Sequence, residues 1–272
     1  MALNTKSVLS DSVVDLMNQA VIVSGMTYNK IDRYATIRQD DMASSISFTV
    51  FSRMSAATTP LTDGTEATST SMTDTKITLT MAEYGNVITS TSLANIATAG
   101  KADLASAELV GINLGETLDK LGVSALEAGT NTVDTDGTLS PALLRTAYKE
   151  LSAAGIAKFE DGRYVLFAHP NDIFNIKDDF VTLAGYSDLS AATSGIVGAM
   201  EGFTIVEDPN CTSGVSVGFG KNALGKAVGL EPEMRINDGQ DNLGRTVSLG
   251  WYGVFKYGII DDNAVRVLKN VA

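Results

Sequence analysis

Two runs of alternating apolar and polar residues, separated by a long polar stretch, constrain this sequence more than any other feature. The outgoing run covers residues 44–54 and the return run covers residues 75–81. Strict alternation with a period of two predicts strands that have one covered face. We therefore predict a long two-stranded hairpin within residues 42–92, called the finger below. The apolar residues that share its face are Ile46, Phe48, Val50, Met54, Ile77, Leu79 and Met81.

The connection between the two runs predicts an unusual tip. It extends from Ser55 to Asp74 and is almost entirely Ser, Thr, Ala, Gly and Asp, with Pro60 and Leu61 as its main apolar feature. An isolated hairpin is marginally stable in water, and structureless loops of this length are uncommon inside compact domains. We expect something outside the finger to cover its apolar face, and another copy of the chain is the best candidate.

Composition excludes several classes of protein. The chain has 272 residues, of which 44% are hydrophobic, so it can bury a substantial core in one elaborate domain or two small ones. Its net charge of −12 lacks the basic footprint of a tight or sequence-specific DNA-binding protein. The N-terminus has no signal-peptide pattern, and no apolar run is long enough to span a bilayer, so we expect a cytoplasmic, non-membrane protein.

Candidate catalytic and ligand-binding residues do not assemble into a recognisable site. Residues 220–227 match part of a phosphate-binding loop, but Ala227 stands where Ser or Thr should ligate Mg²⁺, and no helix follows. Cys211 and His169 are the single cysteine and the single histidine, which excludes an internal disulfide and a multi-cysteine or multi-histidine metal site within one chain.

The paired aspartates favour turns over chemistry. Asp178-Asp179 and Asp261-Asp262 are typical of solvated turns or helix ends, and Asp134 with Asp136 is more typical of a turn than of a loose cation site. We predict no enzyme activity, no catalytic residues, no metal and no cofactor.

The remaining chain divides around one long helix. Ser10 or Asp11 can cap a short helix to Gln19 in the N-terminal segment, and residues 28–41 carry alternating charges typical of extended surface chain. Gly85 interrupts the strand pattern after the finger and predicts a bulge or bend. Apolar residues at spacings of three and four predict a helix over residues 101–128, which Gly129 ends. From Ser140 onward short helices and strands alternate, which indicates an α+β fold.

This order of parts resembles the tailed-phage major capsid proteins, which share the Hong Kong ninety-seven capsid fold, and among them it looks most like those of short-tailed and related phages. The resemblance rests on an ordered series of segments: residues 79–87, 164–170, 195–203 and 263–268. It implies an N-terminal arm (1–41), an extended two-stranded loop (42–92), a peripheral domain with a long spine helix (93–132 and 251–272) and an axial domain (133–250).

The resemblance also implies a function and partners. Copies of the chain would form hexamers and pentamers of an icosahedral shell that encloses double-stranded DNA without binding it specifically. Portal, scaffold and decoration proteins would join it in a virion assembled in the host cytoplasm. The predicted intersubunit contacts are the apolar finger residues given above, together with Pro60 and Leu61 of the tip and Val13, Leu16 and Met17 of the arm.

One family feature is missing, and three alternatives stay open. Some relatives cross-link their subunits through a lysine on the extended loop, but the tip from Met54 to Asp74 contains no lysine, so we expect non-covalent contacts. The alternatives are an encapsulin-like compartment shell with an enzyme cargo, another virion component such as a tail protein, and an α+β enzyme with an unrecognised site.

Overall fold

The computed structural model describes residues 28–40, 43–64, 66–67, 69–97, 101–183, 198–238 and 245–271. The predicted arm helix, with Val13, Leu16 and Met17, lies outside these residues. The helices are α1 (Ser92–Ala97), α2 (Lys101–Glu127), α3 (Pro141–Ala153) and α4 (Pro170–Leu183), and short 3₁₀ turns cover Ile31–Tyr34 and Asp262–Ala264.

Twelve strands form three sheets in the described part of the chain. They are β1 (Thr36–Gln39), β2 (Ser45–Phe51), β3 (Asp74–Thr80), β4 (Ala82–Thr91), β5 (Thr132–Asp134), β6 (Tyr164–Ala168), β7 (Ala199–Met200), β8 (Phe203–Glu207), β9 (Val215–Phe219), β10 (Leu224–Asp238), β11 (Thr246–Ile259) and β12 (Val265–Lys269).

A four-stranded sheet in the order β1-β10-β11-β4 supports the long helix α2. The two central strands, β10 and β11, are antiparallel, and β1 adds to β10 in parallel. Trp251 is buried on this sheet, and its Nε1 donates a hydrogen bond to Asn113 Oδ1 of α2 at 3.0 Å. The apolar face of α2 therefore packs onto this sheet, as its spacing of three and four predicts.

The helix α2 agrees with its sequence prediction within one residue at its C-terminus. Glycine permits a close approach in its last turns, because a Cβ at position 122 would lie 2.7 Å from Cγ2 of Ile31, a fully buried residue. After the helix ends, the Gly129 N–H donates to the Leu126 carbonyl at 3.0 Å. We call α2 the spine helix.

A six-stranded sheet in the order β5-β12-β9-β6-β8-β7 forms the second layer. All five residues of β6 are buried, as their continuous apolar run predicts. Because successive side chains point to opposite faces, Val165 and Phe167 enter the core beneath the spine helix. The alternate residues, such as Leu166, enter a second core against α3.

The C-terminal strand joins the second sheet. The resemblance places residues 251–272 in the peripheral domain together with the spine helix, yet β12 pairs with β9 and β5 of the six-stranded sheet. Its Val265 and Val267 belong to the same continuous core as the spine helix. The division into peripheral and axial domains therefore stays a prediction, and the core itself crosses the expected boundary.

The expected bulge at Gly85 is wrong. β4 pairs with β11 in continuous register, with Gly85 opposite Tyr252. A Cβ at position 85 would lie 2.7 Å from the Trp251 carbonyl oxygen, so the glycine permits a close approach of two strands. The register shifts lie instead in β10, between Val228 and Glu233, beside Pro232. Proline has no N–H to donate to a neighbouring strand. It is tolerated at position 232 because β1 pairs with β10 only as far as Val228.

Candidate assembly surfaces

The finger forms the predicted two-stranded antiparallel sheet. β2 and β3 pair from Ser45 opposite Thr80 to Phe51 opposite Asp74. Phe48 lies opposite Ile77, so the two apolar runs share one face as the alternation predicts. The Ser52 N–H extends the ladder by one bond to the Thr73 carbonyl at 2.8 Å.

The expectation that the whole apolar face waits for a neighbouring copy is wrong at the base of the finger. Ile46 and Phe48 are only 8% and 3% exposed within the single chain. They form a small core with Ala227 of β10 and Ile260, which follows β11. Three further finger side chains are half-buried against this core: Val50, Leu79 and Met81.

Three glycines of the four-stranded sheet make room for the base of the finger. Gly225 lies under the Phe48 ring, Gly258 under Leu79, and Gly229 under Met81. A Cβ at position 225 would lie 3.2 Å from Phe48 Cζ, and one at position 229 would lie 3.0 Å from Met81 Sδ. We call Gly225, Gly229 and Gly258 the glycine seat. Because glycine has no side chain, the sheet leaves space at these three positions, and the side chains of the finger fill it.

Arg38 of β1 also contacts the base of the finger. Its guanidinium lies 5.4 Å from the centre of the Phe48 ring and its Nη1 donates to the Ser47 carbonyl at 2.8 Å. The base of the finger is therefore held by packing, by a cation–π contact and by a charge-assisted hydrogen bond.

The distal part of the finger is exposed. Every described residue from Phe51 to Lys76 is exposed, including Pro60. Four large apolar side chains among them are more than half exposed, at 58%, 68%, 78% and 72% for Phe51, Met54, Leu61 and Met72. Arg53, just before the tip, lies beside Gly155 of the body. The predicted contact residues thus divide into a buried base and an exposed tip.

The chain before the finger is docked on the body, which corrects the expectation that residues 28–41 are surface-seeking. Ile31 is fully buried against Gly122 of the spine helix. The backbone N–H groups of Lys30 and Ile31 both donate to Asp119 Oδ1, at 3.0 and 3.1 Å. β1 then adds a parallel strand to β10, although its Ile37 remains 49% exposed.

A buried ion pair fixes the same segment to the four-stranded sheet. Lys226 is 4% exposed, and its Nζ lies 2.6 Å from Asp32 Oδ2. The Tyr257 hydroxyl donates to Asp32 Oδ1 at 2.5 Å. Burial, followed by the Asp32 carboxylate, raises the pKa of the Tyr257 hydroxyl above its usual range. Tyr257 therefore stays protonated and serves as a donor.

Comparison with known proteins yields matches at the level of structure. No family model and no curated protein matches the chain. The capsid of Ralstonia phage GP4 superimposes with a TM-score of 0.70 at 12% identity, covering 88% of this chain and 87% of that one. Mycobacterium phage Che8 gives 0.66 at 16% identity, with 84% and 85% covered. The chain has a phage capsid fold.

This capsid fold is also found in a virus-like particle. A virus-like particle from Pyrococcus furiosus matches with a TM-score of 0.62 at 12% identity, covering 94% of this chain and 98% of that one. The fold class predicted from the sequence is therefore confirmed, and it extends over nearly the whole of both chains.

In this capsid fold, the residues considered above as catalytic or ligand-binding candidates have structural roles. Lys226, the lysine of the phosphate-loop-like sequence, lies inside β10 and is paired with Asp32. His169 precedes α4, where its carbonyl accepts from the Asp172 and Ile173 N–H groups and its Nδ1 accepts from the Asn171 N–H. Cys211 is buried in the turn after β8, and burial raises the pKa of its thiol.

The aspartate pairs also act in the capsid fold's turns. Asp261 accepts from the Asn263 N–H, and Asp262 binds Thr130 and Asn131 across the chain. Asp134 accepts from the Asp136 N–H, which lowers the pKa of its carboxyl. The side chains of Asp178 and Asp179 lie outside the described residues. No group of three or more potential metal ligands occurs among the described residues.

Other large apolar side chains of the capsid fold are exposed outside the finger. They lie on β4, α1, α2 and α4, and are Val87, Leu93, Ile96, Leu109 and Phe174. None of the described helices combines the length and apolar character that a membrane-spanning helix needs.

The charged residues that fix the N-terminal segment are not evident from the sequence. Asp32, Asp119 and Lys226 each look like solvated charges in the sequence, and their partners lie far away along it. The single available signal was Ile31, an apolar residue among the alternating charges of residues 28–41.

Proposed function

We propose that this chain is a major capsid protein, whose copies assemble into an icosahedral shell of hexamers and pentamers around double-stranded DNA. The observation that carries the proposal is the exposed finger tip on a phage capsid fold. The four exposed apolar side chains in the distal part of the finger would each contribute roughly 1.5–3 kcal/mol if fully buried. In a closed shell every subunit has neighbouring copies, and such a neighbour can bury these side chains.

The base and the tip of the finger have different contacts in this proposal. The base, with Ile46, Phe48, Leu79 and Met81, stays on its own subunit and sets the direction of the finger. The tip, with Met54, Pro60 and Leu61, contacts the neighbour. Val50 is half-buried between the two regions, and Ile77, opposite Phe48 of the base, is also half-buried. Val13, Leu16 and Met17 of the arm contact another neighbour.

Non-covalent contacts hold the proposed shell. The tip has no lysine, and the nearest one, Lys76, lies exposed on β3. Each contact is modest, but each subunit is held at several sites at once, so avidity supplies the durability. The net charge of −12 keeps the wall from adsorbing the DNA. A portal, a scaffold and decoration proteins complete the virion, which assembles in the host cytoplasm.

A shortened finger tests the proposal. Ser52 and Thr73 lie opposite each other at the end of the ladder, so residues 53–72 can be replaced by Asn-Gly, the preferred two-residue hairpin turn. We expect this variant to fold, because the glycine seat is intact, and to form no shells. Circular dichroism checks the fold, while sedimentation and electron microscopy check the particles. Normal shells from the shortened chain would exclude an assembly role for the tip.

A compartment shell around a protein cargo is the second candidate, because the Pyrococcus furiosus virus-like particle shares the fold over 94% of this chain. The contents of purified particles distinguish the two. We expect nuclease-protected double-stranded DNA in particles from the native source. Particles filled with one protein and free of DNA would favour the compartment.

A further inference from the structure

Two carboxyl groups meet in the interior, where the spine helix contacts the turn after β8. Asp119 of the helix and Asp208 of the turn are both 0% exposed. Asn210 contacts both groups, since its side-chain amide donates to Asp119 and its backbone N–H donates to Asp208. Two ionised carboxylates have no hydrogen to place between them, and their charges repel strongly away from water.

The surrounding donors leave one oxygen unsatisfied. Asp119 Oδ1 accepts from the Lys30 and Ile31 N–H groups, and its Oδ2 accepts from Asn210 Nδ2 at 3.1 Å. Asp208 Oδ1 accepts from the Asn210 N–H at 3.0 Å. Asp208 Oδ2 is the one buried side-chain oxygen or nitrogen without a partner among the described residues. A buried acceptor left unpaired is destabilising, so a missing hydrogen is indicated at this position.

We propose that Asp119 and Asp208 hold one proton between them in the folded chain near neutral pH, and that this proton fastens the turn after β8 to the spine helix. The proton turns one carboxyl into a donor to the other, which gives Asp208 Oδ2 its partner and halves the buried charge. Asn210 already links the two groups, so the site is a compact three-residue cluster. This inference does not depend on the proposed function.

The charged groups around the pair favour one proton over none. Lys30 Nζ is the nearest cation, 4.0 Å from Asp208 Oδ1, but it is partly exposed and also donates to the Glu207 carbonyl at 2.7 Å. One partly solvated ammonium matches one negative charge better than two. The other titratable groups near the pair are Glu127 of the spine helix, Cys211 of the turn and Tyr257 of β11.

The direction of the pH effect follows from the shift. Burial, and then the Asp208 carboxyl, raises the pKa of Asp119 from 3.8 to about 7. The folded chain therefore keeps a proton that the unfolded chain releases, so stability falls as the pH rises from about 4 to about 7 and is level above that. Within this window the unfolding equilibrium constant increases up to about tenfold per pH unit from this site.

Asp208→Asn provides the test, because its amide nitrogen can occupy the position of Oδ2 and donate to Asp119 at any pH. Urea unfolding of the full-length chain is measured at about pH 5 and about pH 7 for the wild type, D208N and the exposed control Asp161→Asn. We expect the rise in the unfolding constant between the two pH values to be up to about 100-fold smaller in D208N than in the wild type. D161N should match the wild type. An equal rise in D208N and the wild type would overturn the proposal.

Infrared difference spectroscopy of the wild type decides the matter even if D208N does not fold. A protonated carboxylic acid has a carbonyl stretching band distinct from that of carboxylates. We expect this band at pH values just below 7 and its loss at about pH 9. Asp172, whose pKa burial also raises, is distinguished by repeating the measurement on Asp172→Asn. No band attributable to Asp119 and Asp208 below pH 7 would overturn the proposal.

Discussion

The Leu79 side chain of the finger lies directly over Gly258 of β11, in space that a side chain at position 258 would otherwise fill. This contact joins two segments that are far apart in the sequence. It fixes the finger to its own subunit before any neighbour arrives, so the finger's direction is a property of the single chain.

Gly258→Ala should therefore destabilise the base of the finger by about 1–3 kcal/mol, because the added methyl group overpacks the contact with Leu79. Chemical denaturation measures the loss. Gly198→Ala is the matched control, since nothing in the described part of the chain lies within 4 Å of its Cβ position, and it should change stability by less than about 0.5 kcal/mol.

Adding Leu79→Ala to Gly258→Ala should recover part of that loss, because the shorter side chain makes room for the methyl group. A double-mutant cycle should give a coupling of about 0.5–3 kcal/mol. Additive effects of the two substitutions would mean that the residues do not share this space.

Lys226→Met should destabilise the chain by about 3 kcal/mol, because the Asp32 carboxylate remains while the ammonium group that pairs with it is removed. The expected loss is at the lower end of the range for buried pairs, since the Asp32 side chain is 24% exposed. Unfolding in urea measures it. Lys256→Met, at an exposed position on the neighbouring strand, is the control and should leave stability nearly unchanged.

Cys211 should resist alkylation in the folded chain at neutral pH. Burial is the main cause of its raised thiol pKa, and the neighbouring Asp208, Glu127 and Asp119 carboxyls add to it, so little thiolate forms and reagents have little access. Mass spectrometry after treatment with iodoacetamide provides the measurement. Full modification is expected once urea unfolds the chain. Equal modification rates with and without urea would contradict the burial of this thiol.

Leu61→Asp should abolish particle formation without affecting folding. Leu61 is 78% exposed in the single chain, so the substitution should change its stability by less than about 0.5 kcal/mol. In the proposed shell it would place a charge inside an apolar contact. Leu61→Met keeps the apolar character and volume, and should still give particles by electron microscopy. Particles from L61D would place this residue outside any subunit contact.

The elements that could be predicted from the sequence are those with a strong local pattern. The spine helix follows from its spacing of three and four and from Gly129, and β6 follows from an apolar run of five residues. The finger strands follow from period-two alternation. In each case the neighbours along the chain contain the information.

The residues that hold the finger and the N-terminal segment could not be predicted in this way. Phe48 rests on Gly225, and Asp32 pairs with Lys226, across long stretches of sequence. A glycine that receives a distant side chain looks like any strand glycine, and a lysine buried by a distant carboxylate looks like a surface charge. Tertiary packing decides the surroundings of these residues. The sequence pattern alone therefore predicts an uncovered finger base, whereas the four-stranded sheet of the same chain covers it.

The direct passage from β3 into β4 has a mechanical consequence. Met81 alone separates Thr80 of the finger from Ala82, where the chain enters the ten-residue strand β4. β4 pairs with β11 along its whole length, and these hydrogen bonds run across the strand direction. Tension that pulls the finger along the direction of β4 therefore loads these hydrogen bonds in shear, so that many of them resist it together.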